Sequence, residues 1–174
     1  MHGHRWMRFA LIVVLAVVST SHARAEGTLK VAWPDNWEVR PPVDQGSVVR
    51  LQAREQREGT TRQMLDITAV NTASADKRID SSSLTDLISR PRDLSLQSSV
   101  ETSIELVPMA GTQGYYFVAT DRNYRAGQEG QYRQMIEGVM LKAGYLINFT
   151  LLTNDAGSDA AKVIVTAVTN ARIE

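Results

Sequence analysis

Few side chains in this sequence are of a type and spacing that could do chemistry, and the densest group lies in residues 121–133. That stretch, DRNYRAGQEGQYR, sets Arg122, Arg125 and Arg133 among Tyr124 and Tyr132. Guanidinium groups interleaved with aromatic rings can grip an anionic partner, and each ring face can also receive a cation. The plainer reading is a long, solvated hairpin loop. Even so, the stretch is richer in arginine and tyrosine than its length requires. Binding residues concentrate on loops held by a rigid scaffold, so this is the best candidate contact surface.

Other chemical patterns give way to plainer readings. SADK, residues 74–77, matches the S-x-x-K of serine β-lactamases, but the chain has no S-D-N and no K-T-G. NDAGSD, residues 154–159, looks like part of a calcium loop. The D-x-[DN]-x-[DN]-G spacing fails and no bidentate glutamate follows. Helix capping explains the same residues. Asp66 and Glu137 fall on separate predicted strands. Paired carboxylates can hydrolyse glycosidic bonds without histidine, but sequence does not set their separation, and such residues are mostly solvent-face charges. NFT, residues 148–150, is a formal glycosylation sequon inside a predicted strand.

The remaining aromatic feature is KVAWPDNWEVR, residues 30–40. Trp33 and Trp37 flank a turn and could stack on a ligand or fill the core. Pro34 presets φ for turn entry, and Asn36 can take the left-handed conformation of a three-residue hairpin. Leu29, Val31 and Trp33 then share a strand face with Trp37 and Val39 across the turn. The expectation is a pair of core residues, with Trp37 the deeper.

What is missing narrows the function further. The three histidines, His2, His4 and His22, precede residue 26, and the chain has no cysteine. Residues 26–174 therefore lack the groups for Ser-His-Asp or Cys-His catalysis and for ordinary zinc or copper sites. No metal and no cofactor is expected. The N-terminus itself reads as a secretory signal. A basic start is followed by the apolar run FALIVVLAVV and then by Ala23-Arg24-Ala25, the small-x-small pattern of a cleavage site. The run spans ten residues, well short of the roughly 18 a membrane span needs. The reading is a cleaved signal over residues 1–25 and general export, without a lipoprotein cysteine or a twin arginine. Residues 26–174 then form one domain with no transmembrane segment. They carry 16 basic and 19 acidic side chains, a balance that argues against nucleic-acid binding.

The elements that would position these residues follow from periodicity. Alternation predicts strands over 28–33, 37–39, 47–53 and 62–70, with Val49, Leu51, Ala53, Leu65, Ile67 and Ala69 inward. SSSLTDLISRP then offers serine caps and Leu84, Leu87 and Ile88 at helical spacing. Pro91 predicts a stop or kink there. Strands resume over 102–107, 114–121, 132–141 and 145–153, the last two as a hairpin across Lys142-Ala143-Gly144. A closing helix presents Ala161, Ile164, Val165 and Val168 on one face. Short polar turns imply a mostly antiparallel sheet. Two amphipathic helices must cover the sheet, which makes an α+β sandwich.

The early PDNW (Pro34 to Trp37), the later GTQGYYF (Gly111 to Phe117), the long hairpin and the closing helix carry a resemblance. In layout the chain resembles the PsbP-like α/β-sandwich family, which includes bacterial DcrB-like exported proteins. The family pattern is P-x-G-W followed by G-x-x-G-Y, and the chain departs from it at Asn36, where glycine is usual. The resemblance spans nearly all of residues 26–174. It implies accessory or partner-binding roles and mostly no catalysis.

The sequence thus reads as an exported, non-catalytic accessory or protein-binding domain of the bacterial envelope, periplasmic or secreted, with an envelope protein as partner. A small-molecule or lipid carrier with a cleft between sheet and helices is the alternative. A histidine-free carboxylate hydrolase is the third.

Overall fold

The structure, a computed structural model, describes residues 28–45, 47–56, 63–72, 79–128, 130–154 and 159–174. The expected signal segment with Ala23 and Ala25, the S-x-x-K match and residues 155–158 of NDAGSD lie outside the described residues.

Among the described residues, ten strands and two main helices run in the order β1 (Leu29–Lys30), β2 (Trp37–Val39), β3 (Val43–Asp44), β4 (Val48–Glu55), β5 (Gln63–Asn71), α1 (Ser81–Leu96), β6 (Val107–Pro108), β7 (Gln113–Thr120), β8 (Gln134–Lys142), β9 (Tyr145–Thr153), α2 (Asp159–Thr169) and β10 (Arg172–Ile173). The main sheet is antiparallel in the order β2-β4-β5-β9-β8-β7-β6, and β3 also pairs with β4. The fold is α+β, as the periodicity requires.

Alternation along the strands builds a core on each face of this sheet. Side chains of successive strand residues point to opposite faces. Leu51, Leu65, Ile67, Ile147, Phe149 and Leu151 pack on one face with Ala161, Ile164 and Val168 of α2. Phe117, Ala119, Met135 and Val139 pack on the other with Leu84 and Ile88 of α1. The two helices therefore cover opposite faces, and α1 lies over β7 and β8.

Local chemistry explains the joints. Ala143 and Gly144 both have positive φ, 50° and 78°, as a two-residue type I′ turn between β8 and β9 requires. Asp80, rather than a serine, caps α1. Its carboxylate accepts from the Ser83 N–H at 2.9 Å and from the hydroxyls of Ser82 and Ser83. These bonds hold its pKa down at about 2.

Several expectations need correction. The helix does not stop at Pro91 but continues to Leu96. A proline inside a helix forfeits one backbone bond. Here the burial of Ser95 and the packing of Leu96 against the α1 core hold the last turn in place. No strand spans 102–107; only Val107–Pro108 pairs, with Tyr116 and Tyr115. The first two strands do not form a hairpin. β1 pairs with β10 in a separate two-stranded sheet, and β2 pairs with β4. The turn at Pro34 closes through the Trp37 N–H to the Pro34 carbonyl at 3.1 Å. Among the described non-glycine residues only Ala143 has positive φ, so Asn36 is not left-handed.

Candidate functional site

The arginine–tyrosine stretch links β7 to β8, and its described backbone is held at several points. Asp121 N–H donates to the Arg133 carbonyl at 2.9 Å, and Arg122 N–H donates to the Ser98 carbonyl at 3.1 Å. Arg125 N–H donates to the Gln131 side chain at 2.8 Å, and Arg133 N–H donates to Asn154 Oδ1 at 2.8 Å. Asn154 Nδ2 returns a bond to the Gln131 carbonyl at 3.1 Å. A loop with this many internal partners has already lost most of its freedom, so a partner need not order it on binding.

The five predicted binding residues divide by role. Arg122 is spent on the scaffold: its Nη2 donates to the Ser99 carbonyl at 2.6 Å. Arg125 is exposed and only brushes its neighbour, donating to the Tyr124 carbonyl at 3.1 Å. Arg133 is exposed, and its side chain makes no hydrogen bond or ion pair among the described residues. Tyr124 and Tyr132 are half-buried. Burial raises the Tyr132 phenol, and the Arg54 charge on β4 pulls it partly back.

The face that carries α1 has an open half. The helix covers β7 and β8, and its core takes in Leu146 and Leu152 of β9, while the middle of the same face of β4, β5 and β9 carries polar side chains that are only half-buried. Cross-strand register arranges them in rows. Glu137 of β8 pairs with Thr150 of β9, Thr150 with Asp66 of β5, and Asp66 with Gln52 of β4. In the next row Val139, Asn148, Thr68 and Arg50 are aligned. Asp66 accepts two bonds from Arg50 Nε at 3.1 and 3.2 Å, one from Gln52 Nε2 at 2.7 Å, and one from Arg50 Nη2. Burial alone pushes the Glu137 carboxyl up to about 7.

The carboxylates considered as a hydrolytic pair thus share one face and one row. Two strand spacings put their Cα atoms about 10 Å apart. Asp66, however, already has both oxygens occupied by Arg50 and Gln52, which leaves it poorly placed to take a proton from water.

The tryptophans stack on each other, with ring centroids 5.7 Å apart and planes 24° from parallel. Both are half-buried and pack against the α2-side core, so they cement the edge of that core. Asn36 supports the turn by donating from Nδ2 to the buried Glu55 at 3.0 Å.

Among the described residues no group of three histidine, cysteine, aspartate or glutamate side chains could hold a metal ion. Among the same residues no helix is long and apolar enough to cross a membrane. Sequence reasoning missed Thr68, Asn148 and Thr150 as neighbours. Their alternation marked a polar strand side, but nothing in it told which part of that side α1 would leave uncovered.

No family model, curated protein or solved structure matches the chain.

Proposed function

We propose that the protein is an exported, non-catalytic accessory domain of the bacterial envelope that binds a protein partner through the loop between β7 and β8. One observation carries this reading. The loop's backbone is fixed by internal hydrogen bonds, yet it leaves Arg125 and Arg133 exposed beside two half-buried tyrosines. Arginine and tyrosine are the residues that dominate protein interfaces, and a pre-ordered loop binds without a large entropic cost. The exposed guanidinium groups fit an acidic patch on the partner.

The small-x-small pattern at Ala23 and Ala25 supports export. The resemblance in sequence layout to PsbP-like proteins supports an accessory role. The turn at Asn36 closes without positive φ, so it does not need the glycine usual in that family. The carrier alternative requires a cleft between sheet and helices. There, Phe117, Phe149, Leu65, Ile147 and Leu84 are fully buried, which favours a filled interior.

The test is capture from envelope extract on the immobilised protein, with an Arg125→Ser/Arg133→Ser variant in parallel. A partner retained by the native protein and lost with the variant supports the reading. Equal retention by both contradicts it.

A further inference from the structure

The open half of the α1 face presents hydrogen-bonding groups that the protein itself does not use. Thr68 and Asn148 are register partners, and Thr150 lies two residues along β9 on the same side. The side chains of all three make no hydrogen bond among the described residues, and neither does Glu137 beside Thr150. The charge on this surface is cancelled locally, because Arg50 and Asp66 are paired with each other. What remains is a patch of two hydroxyls and a carboxamide, each both donor and acceptor, bordered by a carboxyl, an ion pair and the half-buried apolar rows Met64–Leu152 and Val70–Leu146.

This chemistry discriminates among ligands. An apolar ligand would strip water from the hydroxyls and the carboxamide and return nothing, which is costly. A strongly charged ligand would meet Arg50 and Asp66 already paired with each other, and an anionic one would also meet the Glu137 carboxyl. A neutral ligand dense in hydroxyl groups would satisfy every group on the patch. We propose that this face is a binding site for a neutral oligosaccharide, with Thr68, Asn148 and Thr150 as its floor, Glu137 at the α1 side and the Arg50–Asp66 pair at the β4 side. The site is separate from the loop proposed to bind protein and does not depend on it.

The test is an NMR titration of the isotope-labelled protein with chitotetraose and with maltotetraose, using trigalacturonate as the charged comparison. The expected result is that one neutral sugar shifts amide signals at residues 66–69, 137–139 and 147–151, leaves 121–128 unmoved, and binds more tightly than trigalacturonate. Thr150→Val keeps the shape and removes the hydroxyl, and Asn148→Ala removes the carboxamide. Each should weaken binding about tenfold, while Arg125→Ser/Arg133→Ser should leave it unchanged. The proposal is overturned if neither neutral sugar shifts these residues, if Thr150→Val and Asn148→Ala both bind as the native protein does, or if trigalacturonate binds more tightly than both neutral sugars.

Discussion

Raising the pH from 5 to 8 should destabilise this protein through one side chain, Glu137. Burial on the α1 face pushes its carboxyl from the ordinary value of 4.5 up to about 7. The unfolded chain releases the proton near 4.5, whereas the folded protein keeps it until near 7. Between those values the folded state binds more protons, so stability falls as pH rises. The contribution is complete below about 4.5 and gone above about 7. The interval is worth about 3 kcal/mol at most, and partial contact of the side chain with solvent brings the expected fall to about 2 kcal/mol. In urea unfolding, that lowers the midpoint by about 1 M for a domain of this size. No histidine lies in residues 26–174 to add a slope of its own. Glu137→Gln keeps the shape and cannot ionise, so its midpoint should be flat over the same range and higher than the native one at pH 8. A native midpoint that does not move between pH 5 and 8, or a slope that survives in Glu137→Gln, would refute the reasoning.

Other perturbations have clear directions. At Gly138 an added Cβ would sit 2.3 and 2.5 Å from the Phe149 ring, so Gly138→Ala should cost about 3 kcal/mol by overpacking and lower the melting temperature visibly. Asn36→Gly removes the bond to Glu55 and relieves no strain, because φ there is not positive. It should destabilise by about 1–2 kcal/mol in chemical denaturation, where a left-handed Asn36 would have made the change neutral. Arg122→Ser should lower stability by about 1 kcal/mol through loss of the bond to Ser99. Arg133→Ser should leave the melting temperature unchanged, since an exposed charge contributes little.

Much of this architecture can be read from local pattern. The apolar alternation of Val49-Leu51-Ala53 and Leu65-Ile67-Ala69 marks the buried side of β4 and β5, and Ala143-Gly144 marks the last hairpin. Errors arose where distant contacts override local preference. The helix passes Pro91 because Ser95 and Leu96 are packed beyond it. The strand at Leu29 pairs with Ile173, at the other end of the chain, instead of folding back across Pro34. The loop around Tyr124 and Tyr132 was legible as a composition, but the spending of Arg122 on Ser99 was not, because that bond depends on where α1 ends. The polar rows on the α1 face were legible one strand at a time. Their alignment depends on strand order, and β9 lying between β5 and β8 could not be read from spacing.

The loop between β7 and β8 is proposed as the surface that meets a partner. Site-specific photocrosslinking in intact cells tests it most directly, with the crosslinker in place of exposed Asn123 on the loop and, for comparison, of exposed Val163 on α2. A discrete protein adduct is expected from position 123, lost when Arg125 and Arg133 are both replaced by serine, and no such adduct is expected from position 163. An adduct from position 163 alone, or one from 123 that ignores the two arginines, would contradict it.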